Sequence, residues 1–144
     1  MKWKKFRLLL LATGVLLGIA RLWFVYTIEK VSDDMCGNQV LSEIPSPDQV
    51  YRVVTFQRDC GATTGFSTQV SVLKYAEKLP NESGNLFVAD TDHGKAPSGI
   101  GGGPEVKISW VGSRSLLLIH HRDVRIFFAT SYVYDVFAEY KAIE

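Results

Sequence analysis

The sequence predicts an all-β fold, in which a single small antiparallel β-meander or sandwich-like domain follows an N-terminal transmembrane helix. Three observations lead to this prediction. Residues 8–28 form an apolar stretch, the chain after Pro47 consists mostly of short runs rich in β-branched and aromatic residues, and turn-forming residues separate those runs. We therefore divide the chain into a basic flank (1–7), a helix (8–28), a leader (29–47) and a β domain (48–144).

The apolar stretch matches the thickness of a membrane. At a rise of ~1.5 Å per residue, residues 8–28 give a helix about 31 Å long, close to a bilayer's hydrocarbon core. Its one charge is Arg21, and four cations precede it: Lys2, Lys4, Lys5 and Arg7. A basic flank stays in the cytoplasm, which predicts that the C-terminal domain lies on the opposite side of the membrane.

A cleaved signal peptide is one alternative for this segment, and a buried helix of a soluble protein is another, which the four preceding cations disfavour. Residues 8–20 have the length of a signal h-region, and Gly18 and Ala20 are small residues before a possible cut at Arg21. The apolar character continues after that point, however, and Trp23 and Tyr26 suit a membrane interface. A retained anchor is favoured, and cleavage stays open.

The charge balance differs between the two parts of the chain. Five of the 16 Lys and Arg residues lie in residues 1–28, which hold no acid, so residues 29–144 carry 11 cations against 15 anions. A domain with this net negative charge is a poor partner for nucleic acid.

The strand pattern can be followed along the chain. Predicted strands cover 50–56, 66–73, 86–89, 106–110, 116–119, 124–128 and 133–140. Short links at 61–65, 80–85 and 112–115 favour antiparallel pairing of neighbours in the sequence. Residues 91–105 form the one long connection, and a loop of that length in a small domain is often functional. This connection, Thr91–Glu105, leads into a strand. Phosphate-binding loops lead into the N-terminus of a helix, so the pattern argues against a nucleotide-binding loop.

Two cysteines, Cys36 and Cys60, are the only ones in the chain. In an oxidising compartment such a pair is expected to form a disulfide. Free structural thiols and a reactive Cys60 remain alternatives, although no spacing links Cys60 to a histidine base.

Three segments of the sequence resemble segments of a known protein family. The stretch 58–71 (RDCGATTGFSTQVS), with His93-Gly94-Lys95-Ala96-Pro97 and the segment 102–106, resembles a family of small uncharacterised bacterial proteins that are anchored in the membrane or the envelope. The likeness covers roughly residues 36–140. It implies a bacterial protein with an envelope-facing β domain, so that the predicted location is the bacterial cytoplasmic membrane with the C-terminal domain in the periplasm. It implies no activity.

Two functions follow as hypotheses. The first is a non-catalytic binding or accessory module, including an immunity-type inhibitor, which contacts the membrane and another envelope protein; its candidate surface is Thr63, Thr64, His93 and Lys95. The second is a thiol-dependent or hydrolytic enzyme that uses Cys60 or His93. The sequence shows no nucleophile–base pair, so we predict no catalytic residue, and we predict no metal and no cofactor.

Overall fold

The computed structural model describes residues 2–34, 36–61 and 65–144. The chain divides into two compact units, Met1–Met35 and Cys36–Glu144. The first contains helix α1, Lys2–Asp34, which extends the predicted helix at both ends. Within α1, the 18 residues of Leu11–Ile28 are long and apolar enough to cross a membrane, as judged by length and composition.

The second unit is a β domain, which confirms the predicted fold class. Its strands are β1 Gly37–Pro45, β2 Tyr51–Asp59, β3 Ser67–Lys74, β4 Phe87–Asp90, β5 Val106–Gly112, β6 Ser115–His121, β7 Arg125–Ala129, β8 Tyr132–Val133 and β9 Val136–Ile143. They form two sheets. Sheet 1 has the order β1-β2-β3-β4-β7, and sheet 2 has the order β5-β6-β9-β8.

Two features depart from a simple meander. Residues 37–45, part of the predicted leader, form strand β1, which pairs with β2 from Gly37↔Asp59 to Pro45↔Arg52. Its polar sequence lacks clear alternation because β1 carries a bulge and lies at a sheet edge. In sheet 2, β6 and β9 are parallel. The chain between them crosses to sheet 1, where it forms β7, and then returns to sheet 2.

A single apolar core joins the two sheets. Residues from both sheets contribute to it: Val53, Val70, Val72, Leu86, Phe87 and Ala89 from sheet 1 and its preceding link, and Leu116, Leu118, Val136 and Ala138 from sheet 2. The hydroxyl of Tyr140 in β9 donates a hydrogen bond at 2.6 Å to the carbonyl oxygen of Thr130, the residue that follows β7 of sheet 1. The domain is therefore a two-layer sandwich.

The outer face of sheet 1, which points away from sheet 2, is also covered. Residues 75–85, which we call the cover, lie across β2 and β3. Leu79 of the cover packs on a second apolar cluster of Val54, Phe56 and Leu73. Asn85 accepts a hydrogen bond from the Val72 amide and donates one to the Val72 carbonyl, both at 2.9 Å. Because of the cover, β2 and β3 are buried on both faces.

Candidate binding site

A disulfide joins Cys36 and Cys60, the pair singled out in the sequence. Cys36 precedes β1 and Cys60 follows β2, one position beyond the last paired residues, Gly37 and Asp59. Antiparallel pairing therefore brings the two cysteines opposite each other, with their Cα atoms 4.0 Å apart. The Cys60 sulfur is bonded to Cys36 and is not a thiolate nucleophile in this state.

The first predicted binding loop lies at the end of β2. Thr63 and Thr64 fall outside the described residues. On one side of them, the Gly61 amide donates a hydrogen bond to the Asp59 carboxylate at 2.9 Å. On the other side, Gly65 lines a cavity on the outer face of sheet 1.

The second predicted binding loop begins with a tight turn after β4. The amides of Gly94 and Ala96 both donate to the Thr91 carbonyl. Asp92 and His93 take left-handed backbone conformations, with φ of 47° and 60°, which L-residues adopt rarely. Lys95 forms an ion pair with Asp92 at 2.5 Å and is largely exposed. His93 lines a cavity on the outer face of sheet 1, whereas Lys95 does not line it.

His93 and Gly65 line the same cavity, which has a volume of about 410 Å³. The two loops selected from the sequence thus meet at one place, although Lys95 is not part of this cavity's wall. Arg125 lies beside His93, with 3.4 Å between its guanidinium and the His93 Nε2 atom. Phe127 provides an apolar wall, and the Arg125 guanidinium carbon is 4.9 Å from the centre of its ring.

The charges of this cavity are held in place by ion pairs. Asp90 of β4 binds the guanidinium of Arg125 through both carboxylate oxygens. Burial acts to raise the pKa of Asp90, but hydrogen bonds from Arg125 and from the Asp92 amide outweigh it, so the pKa lies below its usual value. The hydrogen bond from Lys95 likewise lowers the pKa of Asp92. These carboxylates remain ionised at neutral pH and are unsuited to general acid catalysis.

The rest of the long loop packs along the inner face of sheet 1. A Cβ atom on Gly103 would lie 2.5 Å from the Thr68 hydroxyl and 2.7 Å from the Thr68 amide. Gly101 has a φ of 92°, and a Cβ there would lie 2.5 Å from the Gln57 amide oxygen. Glycine at these positions allows the loop backbone to lie directly on β2 and β3. Much of the loop's glycine content therefore has a packing role.

A second cavity, of about 640 Å³, lies between this loop and the inner face of sheet 1. Its walls include Leu41 and Ser42 of β1, Thr55 of β2 and residues 98–100 of the loop. We call this space the seam, because it opens between the edges of the two sheets. No sequence pattern indicates this cavity, because its walls come from β1, β2, β3 and β5 and from a loop whose path depends on all of them.

The remaining histidines have structural contacts. The His120 ring stacks on Phe87, with 5.5 Å between the ring centres, and its Nδ1 atom is 2.8 Å from the His121 carbonyl. His121 lies 3.7 Å from the Asp123 carboxylate. Among the described side chains, no group of three or more His, Cys, Asp or Glu residues is placed to hold a metal ion.

Sequence reasoning missed Arg125 and Phe127, which complete the outer cavity beside His93. They belong to a predicted strand, and no local pattern indicated that β7 would pair with β4, more than 30 residues earlier. Comparison of the chain with family models, curated proteins and solved structures finds no match.

Proposed function

We propose that this chain is a single-pass protein of the bacterial cytoplasmic membrane whose β domain works in the periplasm as a non-catalytic binding module. An accessory or immunity-type role towards another envelope protein fits this class. The observation that carries the binding role is the position of the loop 91–105, which contributes to cavities on both faces of sheet 1. Loops on a rigid sheet are common places for recognition residues.

Two features support the proposed location. The apolar segment Leu11–Ile28 follows a basic flank, which favours a cytoplasmic N-terminus. The disulfide supports an oxidising compartment for the domain, because cystines are rare in the bacterial cytoplasm. Both point to the same side of the membrane for residues 36–144.

The contacts of the candidate catalytic residues support binding over catalysis. Cys60 is held in a disulfide, and His93 faces the guanidinium of Arg125. Within the described part of the chain, no side-chain hydrogen bond joins His93 to a serine, threonine or cysteine that it could activate.

A C-terminal alkaline phosphatase fusion tests the location. We expect an active fusion that sediments with membranes and keeps its N-terminus. As a matched control, replacing Leu16 and Leu17 with Arg breaks the apolar segment and should abolish both phosphatase activity and membrane retention. An inactive wild-type fusion would contradict the proposed topology. An active, soluble fusion shortened by about 20 residues would show a cleaved signal peptide instead of an anchor.

A further inference from the structure

The seam lies where the two sheets part. Strands β1 and β5 are the edge strands of their sheets. They are close at one end, where the indole nitrogen of Trp110 in β5 donates a hydrogen bond to the Ile44 carbonyl of β1 at 3.0 Å. At the other end, around Leu41 and Val106, they enclose the cavity of about 640 Å³. That volume is within the usual range of ligand sites, roughly 300–1,000 Å³.

The inner wall of the seam presents hydroxyl groups that lack protein partners. Thr55 is only 7% exposed, and its side chain forms no hydrogen bond with any residue that the structure describes. The hydroxyls of Ser42 and Ser98 are also without a side-chain bond within the described ranges. By contrast, the neighbouring Thr68 hydroxyl donates to the Pro104 carbonyl at 2.7 Å. Because Thr55 borders the cavity and its hydroxyl has no partner among the described residues, it favours a ligand with a polar group at that point.

The edge of β1 offers unpaired backbone groups beside these hydroxyls. Pairing with β2 passes from Val40↔Phe56 to Ser42↔Thr55, so Leu41 is an extra, bulged residue with no partner in β2. Across the described residues, the amides of 39–43 form no backbone hydrogen bond outside the β1–β2 ladder. The free edge of a strand is a template for another extended chain.

The remaining walls of the seam are aliphatic and carry no buried charge. Leu41, Pro104 and Val106 contribute apolar surface, and Ile100 projects from the tip of the glycine turn with 89% of its surface exposed. At the mouth, Glu105 lies 3.7 Å from Lys107, and both are exposed. Among the residues that the structure describes, no aromatic ring lines the cavity, so they offer a sugar ring no stacking surface there.

We propose that the seam binds an extended, uncharged segment of a partner polypeptide. The segment adds as a strand to the free edge of β1, and one aliphatic side chain enters the cavity between Leu41, Ile100 and Val106. The Thr55 hydroxyl bonds a peptide group of the ligand. This site rests on the proposed role as a binding module, and it gives that role a ligand class.

A peptide display selection tests the site. Random heptapeptides are displayed and selected against the full-length protein in lipid nanodiscs, and the enriched peptides are synthesised with capped ends for calorimetry. We expect Val, Ile or Leu at alternate positions and few charged residues. Affinity should fall at least tenfold in Ile100→Ser and in the isosteric Thr55→Val. Val111→Ser is the matched control, because Val111 is 63% exposed on β5 but does not line the seam.

Three results would overturn the proposal. One is the absence of any enriched sequence, and another is a set of peptides that bind Ile100→Ser and Thr55→Val as tightly as the wild type. The third is displacement by N-acetylglucosamine trisaccharide with the same sensitivity to both variants, which would assign the seam to a glycan. Thermal melting of each variant shows whether its fold is intact. The phosphatase fusion reports location independently, so failure of the peptide site is distinguishable from failure of the proposed topology.

Discussion

The two sheets of the domain differ in what covers their outward faces. In sheet 2, buried or half-buried residues alternate with more exposed ones along β5 and β9, as expected for a sheet with one face in solvent. In sheet 1, residues 53–58 of β2 and 68–73 of β3 are all buried, because sheet 2 covers one face and the cover 75–85 lies on the other. Burial is therefore concentrated in sheet 1, and we expect substitutions there to cost more stability. The two cavities described above lie where the coverage of sheet 1 ends.

We expect the greatest loss of stability at a phenylalanine of sheet 1, and a phenylalanine of sheet 2 serves as its comparison. Phe56 of β2 is fully buried under the cover, whereas Phe137 of β9 is 39% exposed. Phe56→Ala should reduce the free energy of unfolding by about 3–5 kcal/mol, because it removes a ring and leaves a cavity. Phe137→Ala should cost about 1 kcal/mol or less. Urea denaturation of the full-length protein in detergent measures both, and equal losses would show that the two outer faces do not differ.

The second effect concerns the disulfide, which staples β1 to β2 at one end of sheet 1. Its cysteines are 24 residues apart, and closing a loop of that size should stabilise the fold by about 3 kcal/mol. Replacing both cysteines with Ala should lower the urea midpoint by a corresponding amount. Hydrogen exchange should accelerate first in β1 and at the end of β2.

Sheet 2 provides the internal control for this experiment. Exchange in β6 and β9, which have no covalent link to the disulfide loop, should change only through global unfolding. Uniform acceleration across both sheets, with no additional change in β1, would contradict a local role for the cystine.

The smallest effect is a pH dependence located at the edge of sheet 1. The pKa of Asp90 is lowered in the folded protein by its contacts with Arg125 and the Asp92 amide. The stabilisation it provides is therefore complete above the unfolded pKa, roughly 3.9, and is lost as the pH falls through the lower folded value. When the pH is lowered from 5 to 2, the free energy of unfolding of the Asp90→Asn variant should fall less than that of the wild type.

Glu139→Gln on β9 of sheet 2 is the control for the pH series. Glu139 is exposed and makes no salt bridge with another described residue. Its variant should follow the wild-type dependence of the urea midpoint on pH. If Asp90→Asn also follows the wild type, the Asp90–Arg125 pair contributes nothing to acid sensitivity.

The sequence predicts the outward face of β5 in sheet 2 better than that of β3 in sheet 1, for a physical reason. Val106, Ile108 and Trp110 alternate with polar residues, and these three side chains do turn towards the core. In β3, the alternation of Gln69 and Ser71 with valines assigns the two faces correctly, but the polar face is not solvent. Gln69 accepts hydrogen bonds from Ser83 and Gly84 of the cover, and such long-range partners leave no periodic signal.

The candidate sites show the same limit. His93 was selected because the unusual length and glycine content of the segment 91–105 are visible in the sequence. The loop 61–65 is a short link without such a signal, and its Thr63 and Thr64 fall outside the described residues. Arg125 and the seam residues were not selected, since pairing of β7 with β4 and the approach of β1 to β5 depend on the assembled sandwich. The parallel pairing of β6 with β9 was missed for the same reason.

The position of the cystine also has a mechanical consequence. Any tension carried along the chain from α1 enters the β domain at Cys36, the residue before β1. Without a cross-link, that load would act on the end of an edge strand and peel the antiparallel ladder open one pair at a time. The bond to Cys60 diverts the load to β2, which is held by neighbours on both sides. The domain can therefore bear a pull on its N-terminal end without β1 separating first from the sheet.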